Sequence, residues 1–316
     1  MREAGLAVIA AGPCTLVQDG GRFGHFRAGV AEGGPADRLS FLWANRLCGN
    51  RLDAQALEIL GGGLVVEARG RLQVAVTGAP APLALDDRPV PLWQSLDLPP
   101  GGRLAVGVAR AGMRLYLAVR GGFRLPQVLG SAATVVREGL GGLSGRPLRA
   151  GDFLPASESG PAPVFYLPPE RRPPLSAAPL RVVAGWQYRD LPRTLRRAFC
   201  RATFRLSPQG DRQGLRLIGA ALEGREALPR AMISEGALAG AVQIPPDGLP
   251  VILGPDHQTM GGYPKIGTLV ACDLWRLYQL RPGTPVRFAL LSAVRGAALT
   301  RAALRRFEAT EPLRLR

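Results

Sequence analysis

The chain has 316 residues, 47% of them hydrophobic and 20% charged, and a formal net charge of +16. That balance excludes a disordered polymer and allows two domains of roughly 100–200 residues each. No uninterrupted apolar run approaches the ~20 residues of a membrane-spanning helix, so no membrane partner is expected.

The positive charge is written almost wholly as arginine, spread along the chain and not gathered into a stripe with interleaved aromatics. No zinc-finger, RNA-recognition or basic-zipper pattern accompanies it, so no nucleic-acid partner is expected. The excess still favours anionic ligands. Two histidines, His25 and His257, and four scattered cysteines, Cys14, Cys48, Cys200 and Cys272, argue against a metal site and against a disulfide framework. The cysteines read as small buried apolar residues, and the cytoplasm is the default compartment.

MREAGLAVIAAGP opens as a first strand, without a convincing signal-peptide cleavage site. TLVQDGGRFGHFRAGVAEGGPADRLS then clusters Gln18, Asp19, Arg22, Glu32 and Asp37 among glycines. These side chains can line a cleft or serve as internal salt bridges. PADRLSFLWANRLCGN predicts a helix: Pro35 and Asp37 open it, Leu39, Leu42, Trp43 and Leu47 share a face, and Gly49 closes it. LQVAVTG, RLAVGVA and MRLYLAVR, each bounded by turn residues, predict strands of a mainly β protein, a sandwich or barrel. A proline-dense stretch, PASESGPAPVFYLPPERRPPLSAAP, suits a semi-rigid linker. The expected organisation is therefore a β-rich domain over 1–155, a linker over 156–179 and a second β-rich domain over 180–316, with a few short helices.

In the second half, RLSPQGDRQGLRLIG sets Asp211 beside Arg212. SEGALAGAVQIPPDGLPVILGPDHQT places Glu235, Gln243, Asp247, His257, Gln258 and Thr259 among strand and turn signals, a mixture suited to a small polar ligand. Asp247 in PPDG equally fits a turn, and His257 is either a base or a structural hydrogen-bonding residue. PDHQTMGGYPKIGTLVACD holds Lys265, the only lysine in the chain. CDLWRLYQLRPG predicts a helix with Asp273 near its start, and PVRFALLS a last strand.

Lys265 lies between Pro264 and Ile266, so it is no phosphate-loop lysine. It also lacks the Met-flanked hairpin of a biotin-carrying lysine, so no covalently attached biotin is expected on this chain. Gly261 and Gly262 just upstream can bring backbone N–H groups close to a ligand, as an anion-binding nest. Lys265 adds a compact point charge that an arginine fork does not reproduce. The plainer alternative is a glycine turn with one surface lysine. Lys265, Asp247 and Glu235 are the candidate catalytic residues. Gln258, Thr259, Gly261, Gly262, Tyr263, Gln243, Asp211, Arg212, Gln18, Asp19 and Arg22 are the candidate substrate contacts.

TLVQDGGRFG, GVAEGGPAD, WANRLCGN, SPQGDRQGLRLIG and SEGALAGAVQIPPDGLPVILGPDHQTMGGYPKI together resemble the signatures of one family. It is the family of the C component of bacterial 5-oxoprolinase, also called allophanate hydrolase subunit 2 or antikinase KipA. The resemblance implies a cyclophilin-like β-barrel architecture. It also implies a partnership with a B component, related to KipI or allophanate hydrolase subunit 1, and with an A component. The assembly is expected from it to open 5-oxo-L-proline to L-glutamate at the expense of ATP, with ATP bound at a site shared with a partner. Two other roles occur in the family: the carboxyltransferase part of a biotin-dependent urea carboxylase, and a regulator that binds a kinase inhibitor. Gly210, Gln213, Leu215 and Met260 stand where the family usually has Ser, Met, Tyr and Thr, which opens the question of a changed ligand.

Overall fold

The computed structural model describes residues 3–176, 178–229 and 232–315. The chain divides into two compact units: residues 1–23, 33–174 and 310–316 form the first, residues 24–32 and 175–309 the second. Among the described residues no helix is long and apolar enough to cross a membrane.

The first unit is built from two antiparallel sheets. One runs Phe153–Pro155, Gly5–Ala11, Leu64–Arg69, Arg103–Val106, Leu83–Leu85 and Arg88–Pro89; the other runs Cys14–Gln18, Ala56–Leu60, Arg114–Val119, Leu72–Gly78 and Ser95–Leu98. Leu6, Val8, Val66 and Leu104 from the first meet Leu57, Ile59, Val74 and Leu117 from the second in one apolar core. The helix Arg38–Leu47 lies against Leu72–Gly78 and Arg114–Val119. Both of those strands are buried at every residue, because a strand covered on both faces has no solvent side on which to alternate. Asp37 caps the helix by accepting from the Ser40 N–H at 3.2 Å, and Gly49 follows it with φ of 66°, the left-handed conformation that ends many helices. The predicted helix is therefore present, with Leu42, Trp43 and Leu47 buried as expected.

The second unit carries a nearly closed eight-stranded barrel. Its strands run in the order Pro285–Val286, Phe204–Leu206, Gly214–Ile218, Val251–Leu253, Ala241–Gln243, Lys265–Leu269, Leu180–Ala184 and Phe288–Leu291. The first and last of these are consecutive in the chain, so Arg287 alone bridges the two edges of the sheet. Leu215 and Leu217 point inward while Arg216 and Ile218 are exposed, the period-2 pattern of a strand with one solvated face. Phe199, from the helix Arg193–Arg201, stacks on Phe288 at 4.4 Å between ring centroids, and Phe204 packs beside them. The helix expected near Asp273 spans Ala271–Leu277.

One expectation is corrected. All four cysteines are free, but only Cys48 is buried, while Cys200 is exposed on the outward side of its helix and Cys14 and Cys272 are intermediate. Cysteine burial follows the face of the element, which composition does not encode.

Candidate functional site

Four adjacent barrel strands place one row of residues side by side. Arg216 pairs in register with Val251, Val251 with Gln243, and Gln243 with Lys265. Directly opposed residues of antiparallel strands share a face, so Arg216, Val251 and Gln243 present a cation, an apolar side chain and a carboxamide, and a bulge at Val242–Gln243 sets Lys265 next to Gln243. The next row, Leu215, Ile252, Val242 and Gly267, is buried. A cavity of about 280 Å³ lies over the first row, lined by Arg216, Val251, Gln243 and, beside them, Gln258 and Tyr263.

Neither Lys265 nor Glu235 is part of that lining; Lys265 lies beside it, paired in the sheet with Gln243. Its Nζ forms an ion pair with Glu235 Oε1 at 2.5 Å, which engages one of the three N–H donors of the ammonium. Gln187 fixes both partners: its Nε2 donates to Glu235 Oε1 at 2.6 Å, and its Oε1 accepts the Lys265 backbone N–H at 2.6 Å. Gln187 is buried, on the short helix Trp186–Arg189. The sequence reasoning missed it, because GWQYRD carries no motif and lies 78 residues from its partner.

Gly261 and Gly262 do not form the expected nest. Neither has a positive φ, and Met260–Gly261 pairs as a strand with Glu235–Gly236. The glycines are required for space: a Cβ on Gly261 would stand 2.5 Å from Gln243 Nε2, and one on Gly262 would stand 2.9 Å from the Met232 carbonyl oxygen. Gln243 is 2% exposed and its Nε2 has no acceptor.

Arg212 does not line the cavity. It is buried and grips Asp256 with both Nε and Nη2, at 2.9 and 2.8 Å. The Arg212 carbonyl oxygen accepts the Asp256 N–H at 2.9 Å, so this pair ties the 211–214 segment to the segment bearing Gln258. Asp211 does line the cavity, and its Oδ1 accepts the N–H groups of Gln213 and Gly214. Asp247 is exposed in the PPDG turn, where its carboxylate accepts the Leu249 N–H at 3.0 Å, and it lies outside the cavity lining. Thr259 is buried and its carbonyl oxygen accepts the Ala237 N–H. His257 commits its Nδ1 to the Gln258 carbonyl oxygen at 2.7 Å, which is a structural role.

Gln18, Asp19 and Arg22 belong to the first unit and stitch its 128–134 segment in place. Gln18 donates to the Thr134 carbonyl, Asp19 accepts from Ser131 and Ala132, and Arg22 donates to the carbonyls of Val128, Ser131 and Ala133. All three are buried. Arg216 is the second residue that sequence reasoning missed: its only signal was a charge on the polar face of a strand.

Of the four departures from the family pattern, two meet in space. A Cβ on Gly210 would stand 2.7 Å from Leu215 Cδ2. Gln213 lines the cavity, and Met260 is exposed. Among the described residues no group of three or more His, Cys, Asp or Glu is placed to hold a metal ion.

A family model described as carboxyltransferase domain, subdomain A and B, matches residues 28–290. The chain belongs to this carboxyltransferase-domain family. Within it, the C component of 5-oxoprolinase from Escherichia coli (strain K12) is 38% identical over 91% of this chain and 91% of its own length. The protein of the same name from Haemophilus influenzae is 36% identical over 90% of this chain and 91% of its own. The crystal structure of the K. lactis urea amidolyase superposes with a TM-score of 0.89 at 28% identity, covering 98% of this chain and 20% of that one. The carboxyltransferase-domain fold thus occurs in that protein as one fifth of a larger polypeptide.

Proposed function

We propose that this chain is the C component of an ATP-dependent 5-oxoprolinase, which opens 5-oxo-L-proline to L-glutamate together with a B component and an A component in the cytoplasm. The observation that carries this reading is the 38% identity with the C component of a 5-oxoprolinase along 91% of both chains. The site is chemically suited to it. Hydrolysis breaks the lactam C–N bond and adds water across it, and the lactam carbonyl is a poor electrophile. Charge that develops on the carbonyl oxygen is stabilised by donors fixed in advance, and Lys265, held by Glu235 and Gln187 beside the cavity-lining Gln243, keeps two N–H donors beyond its ion pair. Glu235 is the carboxylate nearest that ammonium and the better candidate for positioning the attacking group; Asp247 is committed to its turn.

ATP supplies the activation of the lactam oxygen in this reading. The cavity does not fit it: about 280 Å³ lies below the ~300–1,000 Å³ usual for ligands of drug size, and Gly261, paired as a strand, and Gly262 have no positive φ to form a phosphate cradle. We therefore assign ATP to a surface completed by another polypeptide of the assembly. Exposed apolar side chains flank the site segments: Trp186 next to Gln187, Ile233 near Glu235, and Met260 and Tyr263 around the glycine pair. They support a partner that covers this part of the chain.

A second reading, the carboxyltransferase part of a biotin-dependent urea carboxylase, is favoured by the family description and the amidolyase likeness. The test is reconstitution with the A and B components and an assay of ATP-dependent glutamate release from 5-oxo-L-proline. Release that is lost in Lys265→Ala supports the proposal. Carboxylation of urea with a biotinylated carrier, without glutamate release, replaces it by the second reading.

A further inference from the structure

The cavity holds two features that the proposed chemistry does not use. Arg216 lines it with no side-chain hydrogen bond or ion pair to any described residue, and four carboxamides, Gln209, Gln213, Gln243 and Gln258, line it as well. A carboxamide presents a donor beside an acceptor on one edge. The ring of a lactam presents the complementary edge, because its N–H and C=O are held cis. Gln243 is the carboxamide with a reason to pair. It is 2% exposed, and Gly261 encloses its Nε2 without an acceptor. An enclosed amide N–H without an acceptor carries a cost that an incoming ligand acceptor removes.

The register sets the spacing. Arg216 and Gln243 both pair with Val251, so their backbones lie two strand spacings apart, about 10 Å. Val251 forms an apolar floor between them. A small ring with an amide edge on one side and a carboxylate on the other spans such an arrangement. Asp211, the acid in the same lining, has its Oδ1 occupied by two backbone N–H groups, and the Lys265 ammonium is matched by Glu235. The guanidinium of Arg216 is therefore the cation of the row left for an anionic group, and its forked donors fit a carboxylate.

We infer that Arg216 and Gln243 are the specificity-determining residues of this cavity, Arg216 gripping the carboxylate and Gln243 the amide edge of one small cyclic amide acid. The assignment rests on the proposed function for the identity of the ligand, 5-oxo-L-proline. It makes Arg216 the sorting end of the cavity.

The experiment is binding to the full chain, alone and reconstituted with the A and B components, followed by calorimetry. Three probes separate the two handles: 5-oxo-L-proline, 2-pyrrolidinone, which keeps the lactam and lacks the carboxylate, and urea. Arg216→Met is expected to weaken 5-oxo-L-proline about tenfold or more, the loss of one charge-assisted contact, and to leave 2-pyrrolidinone unchanged. Gln243→Met is expected to weaken both lactams by a similar factor. An equal effect of Arg216→Met on both lactams, or none on either, overturns the carboxylate assignment. Unchanged lactam binding in Gln243→Met overturns the amide assignment. Wild-type protein that prefers urea, or that binds no probe in either state, overturns both. Binding of 5-oxo-L-proline with the stated variant effects, but without hydrolysis in the reconstituted assembly, sinks the functional reading and leaves the recognition assignment standing.

Discussion

Gly261 and Gln243 are in contact through the space that a side chain on Gly261 would fill: its Cβ would lie 2.5 Å from Gln243 Nε2. The atom that would be displaced is the end of a flexible side chain, and the Gly261 backbone has no positive φ. Gly261→Ala should therefore turn the carboxamide without unfolding the barrel. We expect KM for the lactam to rise about tenfold, the scale of one misplaced hydrogen bond to a buried group, while the thermal midpoint shifts by only a few degrees. Steady-state kinetics beside a melting curve will separate the two effects.

Lys265→Arg tests why the one lysine stands where it does. A planar fork cannot occupy the compact point held by Glu235 and Gln187. The reconstituted enzyme should lose roughly tenfold or more in kcat, and Glu235→Gln should lose a comparable factor. Retention of full turnover in both variants would remove the ammonium from the chemistry.

Breaking the Arg212–Asp256 pair should damage stability first. Both side chains are buried and joined by two hydrogen bonds, so Asp256→Ala leaves an uncompensated charge at a cost of about 3–5 kcal/mol. Urea unfolding measures it. The double variant Arg212→Met, Asp256→Leu should recover most of the loss, since no charge is then stranded.

The Arg146–Asp152 pair gives the first unit an acid-sensitive contribution to stability. The hydrogen bonds from Arg146, at 2.8 Å to each carboxylate oxygen, hold the Asp152 carboxyl below the usual range. A depressed carboxyl stabilises the fold above its unfolded pKa, near ~3.9, and that contribution disappears as pH falls through the lower folded value. The difference in unfolding midpoint between wild type and Arg146→Ala should be present at about pH 7 and shrink once the pH drops below about 4.

Thiol labelling should follow exposure. Burial pushes the Cys48 thiol far up, and Cys200 is exposed on its helix. A thiol-reactive disulfide reagent should modify Cys200 first in the native protein and reach Cys48 only on unfolding. Equal native rates would contradict the burial of Cys48.

Several elements were legible because their signals are local. The run LQVAVTG became the strand Leu72–Gly78, MRLYLAVR became Arg114–Val119, and Asp37 caps the helix that Gly49 ends. The glycine pair was noticed for a conformational reason and proved to matter for a steric one, since the atoms it makes room for, Gln243 Nε2 and the Met232 carbonyl, come from elsewhere in the chain. Arg212 looked like a ligand contact because charge next to a glycine turn is ambiguous until its partner, Asp256, is known. Gln18, Asp19 and Arg22 drew attention as a polar cluster, and their hydrogen bonds run instead to carbonyl, hydroxyl and amide groups more than a hundred residues away.

By itself the sequence determined the β class, the capped helix, the family signatures and the singular position of Lys265, because strand alternation, capping and motif spacing act between near neighbours. Only the tertiary structure decided that Arg216, Val251 and Gln243 share one row and that a bulge sets Lys265 beside it. Their order across the sheet is not their order along the chain, and barrel register is fixed by the burial of the opposite row, Leu215, Ile252, Val242 and Gly267, against the core.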